Sequence, residues 1–201
     1  MTKSLLPSLV LASTSPRRRE LLAQAGFTFE TISPGESGVD ETPQAGETPK
    51  EYVSRLARAK AHAGQLSLIH NGRADHFLVL GADTTVTIDK LIMEKPIHAE
   101  DAARMLSRLS GKVHQVFTGL CLLKGHREES IVSISEVHFE TLSEHQIAEY
   151  IASGEPFDKA GAYGIQGRGA LFIKHLEGSY SGVMGLPLYE LGLLLQRFES
   201  A

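Results

Sequence analysis

The sequence predicts an α/β domain in which helices pack on a mixed sheet. Strand-like and helix-like segments alternate along most of the chain, which favours parallel strands joined through helices. Two long apolar strand segments in the middle follow each other as a hairpin, which requires antiparallel pairing. With 201 residues, of which 42% are hydrophobic and 22% charged, the chain is long enough for a substantial core.

The first third of the chain is predicted to contain a strand at 8–12, a helix at 16–25, a short strand at 28–32 and a helix at 49–64. Ser15 and Pro16 mark the first helix start, because a hydroxyl N-cap is followed by proline at the first helical position. The acidic loop 33–48 is longer than a bare connector needs in a compact fold. We therefore interpret it as a candidate functional loop.

The rest of the chain continues the alternation. The apolar run FLVLGA at 77–82 predicts a strand that TTVTI extends to a turn at Asp89 and Lys90, and a polar loop to His76 precedes it. The segments that follow are a strand LIM at 91–93, a helix at 99–109, strands at 113–123 and 130–142, a helix at 144–152, a glycine-rich loop at 161–169, a strand at 170–175 and a helix at 188–198. No segment is typical of an interdomain linker, so we expect one domain over 1–201, structured over about 8–198.

Composition limits the classes of partner. The net charge of −4 argues against bulk binding of nucleic acid, which favours a basic face. Cys121 is the single cysteine and excludes an intrachain disulfide, which indicates a reducing, cytoplasmic setting. No apolar run approaches the ~18 residues that a membrane helix needs, so no membrane association is expected. We interpret the N-terminus as mature sequence, because its charge follows the apolar run.

The stretch STSPRRR places three arginines, Arg17 to Arg19, in the first turn of a helix. The helix dipole is positive there, and Asp or Glu would be the stabilising choice. A phosphate would neutralise these cations, and a strand, a short loop and a helix N-terminus together form an anion site. A solvated basic face is the alternative. The conflict with the dipole favours phosphate, although the chain has no P-loop motif.

The stretch LVLGADTTV brings Asp83 to the end of an apolar strand, directly after Gly81 and Ala82, which leave room for a ligand. Such a carboxylate can accept a proton from water or hold a divalent metal. The alternative is an aspartate that caps a turn. Because strand-like residues follow it, we interpret Asp83 as a site residue.

Two lysines are weaker candidates. Lys60 lies on the apolar stripe of its predicted helix, where it would either extend its amine to solvent or meet a phosphate in a cleft. Lys95 stands between Glu94 and Pro96 and is restricted to extended geometry. An exposed ion pair with Glu94 is the alternative reading of that motif.

The glycine-rich stretch AGAYGIQGRGA indicates a backbone that approaches a ligand closely. It lacks the pattern and the context of a dinucleotide-binding turn. The amide of Gln166 both donates and accepts hydrogen bonds, so it can pair with the edge of a base. The histidines show no HExxH spacing, and a zinc site is not expected.

Taken together, SPRRRELL, DETP, GADTTV, EKP, DKAGAYGIQG and GSYSGVMGLP resemble, in this order, the signatures of Maf proteins. The resemblance runs from about Leu9 to Leu195. It implies the mixed-sheet inosine-triphosphatase-like fold, with two lobes around a central cleft, and nucleoside triphosphate pyrophosphatase activity. It further implies a divalent metal cofactor (Mg, Mn or Co), a nucleoside triphosphate as binding partner, and a homodimer, which is common among relatives.

The resemblance also implies roles for single residues. Asp83 matches the catalytic base, and Glu41 together with Asp83 matches the metal site, with Asp40 as a weaker match than Glu41. The matches to phosphate-binding residues are Ser13, Arg18, Lys60 and Lys95. Arg17, Thr84 and Gln166 match the positions that separate subfamilies, and each resembles the group that hydrolyses dTTP and UTP rather than the group acting on 7-methyl-GTP.

The expected function is therefore hydrolysis of dTTP and UTP, and of modified pyrimidine nucleotides, to the monophosphate and pyrophosphate. The family resemblance connects this activity to keeping modified nucleotides out of nucleic acid and to cell-division arrest. Two alternatives stay open from the sequence. One is a nucleotide-sensing regulator of cell division without significant turnover, and the other is a pyrophosphatase of the same mechanism with another base preference.

Overall fold

The computed structural model describes residues 8–33, 39–73 and 77–200. Parts of the two predicted loops, 34–38 and 74–76, lie outside the described residues. The described chain forms a seven-stranded mixed sheet with helices packed on it, which confirms the predicted fold class. The strands are β1 (Leu9–Ala12), β2 (Phe29–Ile32), β3 (Leu78–Ile88), β4 (Leu91–Met93), β5 (Val113–Lys124), β6 (Arg127–Phe139) and β7 (Ile173–Glu177).

The order of the strands is β2-β1-β3-β5-β6-β7, and β4 pairs with β3 beside this path. Strand β1 runs parallel to both β2 and β3. The pairs β3–β4, β3–β5, β5–β6 and β6–β7 are antiparallel. The sheet therefore changes from parallel to antiparallel at β3, as alternating segments followed by a hairpin predict.

The six α-helices of the described chain are α1 (Pro16–Gln24), α2 (Pro49–His70), α3 (Ala99–Leu109), α4 (Glu144–Ala152), α5 (Tyr180–Met184) and α6 (Leu188–Glu199). Five of them begin at the residues that the sequence indicates, and α5 was not predicted. Capping boxes fix the starts of α2 and α4, through Thr48 with Glu51 and Ser143 with Gln146. Ser15 differs from the expectation, because its side chain makes no capping hydrogen bond to α1.

Helix α2 ends at His70, not near residue 64 as the sequence suggested. Gly64 resembles a helix-ending glycine, but it lies inside α2 and lets the helix approach β1 closely. A Cβ at this position would lie 2.6 Å from Cβ of Ala12. Leu68 beyond it is buried, so the last turns are held by tertiary contacts.

Two further boundaries differ from the predicted ones, and one short helix was not predicted. Strand β6 begins at Arg127, because β5 and β6 are joined by a tight turn in which Lys124 pairs with Arg127. Strand β7 begins at Ile173, because a 3₁₀ helix occupies Gly167–Phe172. Helix α5 has only five residues, too few to show a helical period in the sequence.

Two apolar clusters lie on one face of the sheet. The first contains Leu80 and Leu120 from the sheet, covered by α1, α5 and α6. The second contains Val86 and Val116 from the sheet, covered by α3 and α4. These clusters form the cores of the two expected lobes. Helix α2 covers the opposite face, because alternate residues of a strand point to opposite sides.

The edge of β3 that faces β1 is interrupted in the middle. Strand β1 pairs with Leu78–Leu80, and β4 pairs with Val86–Ile88 along the same edge. Strand β5 pairs continuously with the other edge. Within the described chain, residues 81–85 therefore have no strand partner on the interrupted edge, and Asp83 lies at the centre of this gap.

None of the helices in the described ranges is long and apolar enough to cross a membrane.

Candidate active site

A cleft of about 580 Å³ opens at the interruption in β3, between the two lobes. Apart from the weaker metal candidate Asp40, every residue that the sequence predicted for the site lines this cleft. These residues are Ser13, Arg17, Arg18, Glu41, Lys60, Asp83, Thr84, Lys95 and Gln166. The fold therefore brings together residues that come from six separate stretches of the chain.

Asp83 and Lys60 form the most buried ion pair of the cleft. Lys60 Nζ lies 2.6 Å from Asp83 Oδ1, and the side chains are only 12% and 9% exposed. The same Nζ lies 2.6 Å from Oε1 of Glu41, whose side chain is 51% exposed. One ammonium group therefore joins two carboxylates, one fixed in the strand and one at the cleft entrance.

Burial sets the acidity of this centre. Burial raises the pKa of the Asp83 carboxyl above its ordinary value, more than the nearby cations Lys60 and Arg18 lower it. Burial also lowers the pKa of the Arg18 guanidinium, an effect that the carboxylate of Asp83 opposes. A carboxylate with a raised pKa is a better proton acceptor than an ordinary one, which suits a general base.

The loop that carries Glu41 is fastened to α2 by Arg55. Arg55 forms an ion pair with Glu47 at 2.6 Å and donates to the carbonyl oxygens of Asp40 and Thr42, each at 3.2 Å. Tyr52 completes the attachment, since its hydroxyl donates to the Glu41 carbonyl at 2.8 Å.

Asp40 serves the loop itself. Its Oδ1 accepts the backbone N–H of Thr42 at 2.9 Å, the pattern of an Asx turn. Asp40 is not among the residues that line the cleft, whereas Glu41 is.

The start of α1 lies at the cleft floor, and Arg18 joins it to β3 and to the residues that follow β1 and α5. The Arg18 guanidinium donates to Gly185 O at 2.9 Å, to Ser13 Oγ at 3.2 Å and to Thr84 Oγ1 at 3.4 Å. Thr84 donates in turn to Thr118 Oγ1 at 3.0 Å, because the Thr118 hydroxyl is used as a donor to a backbone carbonyl. Three of the five guanidinium N–H groups are thus used within the protein.

The neighbouring arginines have different surroundings. Arg17 Nη1 lies 2.9 Å from Asp158 Oδ2, across the cleft, and the Arg17 side chain is 29% exposed. Arg19 is exposed and does not line the cleft. The three consecutive arginines therefore fall into three environments: Arg18 is half-buried and hydrogen-bonded within the protein, Arg17 is paired at the cleft edge, and Arg19 is solvated.

The opposite wall carries Gln166 and two lysines. Gln166 is half-buried on the glycine-rich loop and lines the cleft. Lys95 is exposed at the entrance. Lys159 donates to the carbonyl of Glu155 and pairs with Asp158, each at 2.6 Å.

The sequence interpretation missed several cleft residues. Asp158 and Lys159 lie in the quoted motif DKAGAYGIQG, so their position in that motif was the available signal. Thr118 does not line the cleft itself; it supports Thr84 from the neighbouring strand, and only the strand register brings the two together. Tyr52 is a buried residue of α2, and its hydroxyl reaches the loop of Glu41.

The acidic side chains of the cleft offer a limited set of metal ligands. In the ranges that the structure describes, no group of three His, Cys, Asp or Glu side chains is arranged to hold a metal ion. Glu41 and Asp83 converge on one point, which Lys60 Nζ occupies. Two carboxylates, completed by phosphate oxygens of a substrate, are a donor set that Mg²⁺ commonly takes. The cleft therefore fits a metal that arrives with its nucleotide.

Comparison with known proteins agrees with the motifs. The family model described as Maf-like protein matches residues 8–198. A dTTP/UTP pyrophosphatase of Aromatoleum aromaticum is 51% identical over 202 residues, covering 98% of each chain. Proteins with the same name from Vibrio cholerae and Escherichia coli O157:H7 are 50% and 48% identical, covering 96% and 97% of this chain and 99% and 95% of their own. The chain belongs to the Maf-like protein family.

Proposed function

We propose that this chain is a dTTP/UTP pyrophosphatase, which hydrolyses these nucleotides to the monophosphate and pyrophosphate. The observation that carries the proposal is the buried Asp83, set among cations in the cleft between the lobes. The names of relatives with about half of their residues identical, aligned over nearly the whole chain, support the substrate. Modified pyrimidine nucleotides with the same base edge belong to the same substrate class.

In the proposed reaction, Asp83 accepts a proton from the water that attacks the α-phosphorus. The oxygen of that water joins the phosphorus, and the bond from the phosphorus to the bridging oxygen breaks, so that pyrophosphate leaves. Lys60 holds the carboxylate in place through the 2.6 Å contact. Little covalent chemistry falls to the protein, so positioning and electrostatic stabilisation supply most of the rate.

The triphosphate is proposed to lie along the floor of the cleft, over the start of α1. The first turn of a helix offers free backbone N–H groups and the positive end of its dipole to an anion. Arg17 and Lys95 lie at the cleft edge, where they reach phosphate oxygens, and Ser13 offers its hydroxyl. Arg18 is proposed to act on the triphosphate mainly through its positive charge, because its guanidinium already donates hydrogen bonds to Gly185 and Ser13 within the protein.

Glu41 and Asp83 are the residues proposed to hold a divalent cation, Mg, Mn or Co. When bound, such an ion neutralises charge on the phosphate oxygens. Lys60 would then keep its contact with the fixed Asp83, while Glu41, which is half exposed, is the carboxylate that can exchange partners.

Gln166 is proposed to recognise the base. Uracil and thymine present an O4 acceptor beside an N3–H donor, which one amide matches with its own donor and acceptor. Cytosine reverses this pattern. Thr84 is proposed to act on specificity with Arg17, through the hydroxyl that contacts Arg18.

A panel of nucleoside triphosphates tests the proposal, with each nucleotide supplied with Mg²⁺, Mn²⁺ or Co²⁺ and with release of pyrophosphate as the readout. We expect dTTP and UTP to be hydrolysed faster than CTP, ATP and GTP. Asp83→Asn should lower kcat by about 10² or more, as removal of a general base does. Binding of UTP without release of pyrophosphate would instead favour a nucleotide sensor. Preference for a purine would contradict the role of Gln166.

We propose further that the protein acts in the cytoplasm as a single domain over 1–201, and as a homodimer without nucleic-acid partners. The family resemblance supports the dimer, and the net charge of −4 supports the lack of nucleic-acid binding. Light scattering of the purified chain measures the oligomeric state directly.

A further inference from the structure

The segment that carries Gln166 is held by two side chains from outside it. Glu155 accepts the backbone N–H of Arg168 on Oε2 at 3.0 Å and that of Gly169 on Oε1 at 3.1 Å. Tyr150 donates its hydroxyl hydrogen to Glu155 Oε1 at 2.9 Å, and its oxygen accepts the N–H of Gly164 at 3.2 Å. One tyrosine and one glutamate therefore bind the backbone on both sides of Gln166.

Tyr150 is a closely packed anchor. Tyr150 is 1% exposed on α4, and its ring contacts the Phe172 ring edge-on at a centroid distance of 4.9 Å. A Cβ at Gly169 would collide with the Gly164 carbonyl oxygen and would lie 2.8 Å from the Tyr150 hydroxyl. The loop thus packs closely against the hydroxyl at this point.

The carboxylate of Glu155 is held in its charged form. Although burial opposes ionisation, the hydrogen bonds from the backbone of Arg168 and Gly169 and from Tyr150 outweigh it and keep the pKa of Glu155 below its ordinary value. A charged acceptor makes stronger hydrogen bonds to N–H groups than a neutral one. The anchor therefore stays formed at neutral pH.

We propose that Tyr150 and Glu155 are positioning residues that fix Gln166 in the cleft and thereby set the preference between pyrimidine bases. The inference rests on the proposed function, because it concerns the same cleft and the same substrates. Neither residue lines the cleft, so neither touches the substrate, and both act through the backbone that carries Gln166.

The expected effect follows from how an amide discriminates. A fixed Gln166 pairs with the donor and acceptor of uracil and meets cytosine with both partners reversed. A polar group held in place rejects the wrong base because its hydrogen bonds stay unmade. An amide on a loosened loop can turn or move away, so it pairs less well with uracil and rejects cytosine less strongly.

Two variants remove the anchors without removing their volume. Tyr150→Phe keeps the buried ring and deletes the hydroxyl, which leaves the Gly164 N–H without its acceptor. Glu155→Gln keeps one oxygen acceptor and replaces the other with an amide nitrogen, which cannot accept. The matched controls are Tyr189→Phe and Glu149→Gln, which change an exposed tyrosine on α6 and an exposed glutamate on α4.

The experiment measures kcat/KM for UTP and for CTP, together with the inhibition constant of inorganic pyrophosphate, which carries no base. We expect the ratio of kcat/KM for UTP to that for CTP to fall by about tenfold or more in both variants. The pyrophosphate inhibition constant should change by no more than about twofold, as for the controls. Melting temperatures establish that each variant is folded, and Glu155→Gln decides the result if Tyr150→Phe does not fold.

Three results would overturn the inference. A UTP-to-CTP ratio that stays within about threefold of wild type, in an enzyme that hydrolyses UTP, would mean that the anchors do not set base preference. A parallel loss of both activities and of pyrophosphate binding would indicate a general structural role. A wild-type chain that hydrolyses neither dTTP nor UTP would overturn the proposed function itself, and the inference with it.

Discussion

Lys60 Nζ lies 2.6 Å from Asp83 Oδ1 and 2.6 Å from Glu41 Oε1, so a single ammonium joins the two carboxylates of the cleft. The two contacts differ in environment. Asp83 is fixed in β3 and buried, whereas the Glu41 side chain is half exposed on a loop. A buried carboxylate loses a stabilising charge when its cation is removed, and an exposed one is screened by water. Lys60 therefore stabilises the charge of Asp83 more than that of Glu41.

Replacement of Lys60 by methionine should move the pH dependence of turnover. In the proposed mechanism activity requires ionised Asp83, so kcat/KM falls as the pH falls through the pKa of Asp83, which burial already raises. Because Lys60 lowers that pKa, Lys60→Met should raise it further and shift the acidic limb to higher pH. The measurement is the pH profile of kcat/KM for UTP.

The control for this profile is Lys50→Met, which removes an exposed lysine from the first turn of the same helix. Its acidic limb should coincide with that of the wild type. An acidic limb that does not move in Lys60→Met, in an enzyme that still turns over, would show that Asp83 is not the group titrating in that limb.

Neighbouring arginines in the α1 first turn should respond differently to truncation. Arg17 pairs with Asp158 at the cleft edge, whereas Arg19 is exposed away from the cleft. Arg17→Ala should lower kcat/KM for UTP by about tenfold or more, since a phosphate contact to a charged group is lost. Arg19→Ala should change it by no more than about twofold.

Arg17→Ala should affect activity much more than stability. The bridge between Arg17 and Asp158 is open to solvent on the Asp158 side, whose side chain is 62% exposed, so breaking it should cost no more than about 1 kcal/mol of unfolding free energy. Denaturant titration of Arg17→Ala measures this. Equal losses of activity in the Arg17 and Arg19 variants would remove the distinction between them.

Much of the architecture could be predicted from the sequence, because periodicity and capping signals are local. The starts of α2 and α3 and the strand that delivers Asp83 follow from such signals. The end of α2 could not be predicted, because Gly64 is retained for contact with β1, a long-range effect. Helix α5 is shorter than two helical turns and carries no periodic signal.

For the site, the sequence predicted which residues line the cleft but not which residues they contact. The identity of the cleft residues came from motifs, and the structure places all of them around one cleft. Their partners are set by folding: Thr118 meets Thr84 only through strand register, and Asp158 meets Arg17 only across the lobes. Such pairings join residues far apart in sequence, so no local pattern contains them.

His114 should make stability fall in mildly acidic solution. It is 2% exposed, its Nε2 lies 2.7 Å from the Tyr163 hydroxyl, and burial lowers its pKa from 6.5 to about 4, with a smaller effect from His138. Between these values the unfolded chain binds a proton that the folded chain excludes. Stability should therefore decrease as the pH falls from 6.5 to 4, by about 3 kcal/mol from this residue.

The variant His114→Phe tests this through the pH dependence of its unfolding free energy. At pH 7.5 it should be less stable than the wild type, because the Tyr163 hydroxyl loses its partner. The gap in unfolding free energy between the wild type and His114→Phe should be smaller at pH 5. The wild type loses stability there because its folded state excludes a proton from His114, and phenylalanine has no such proton. The control is His145→Gln, which changes an exposed histidine. The gap in unfolding free energy between this variant and the wild type should be no smaller at pH 5 than at pH 7.5. A constant difference for His114→Phe would contradict the assignment.

Two glycines should respond to alanine substitution with opposite signs. A Cβ at Gly81 would collide with the Ala57 carbonyl oxygen and lie 2.6 Å from the Ala61 nitrogen, so α2 must move from the sheet. Gly81→Ala should lower the unfolding free energy by about 1–3 kcal/mol. Gly192, within α6, has nothing within 4 Å of that position, so Gly192→Ala should raise it by about 0.5–1 kcal/mol through helix propensity. Urea titration measures both, and a neutral Gly81→Ala would mean that α2 approaches the sheet less closely than this structure shows.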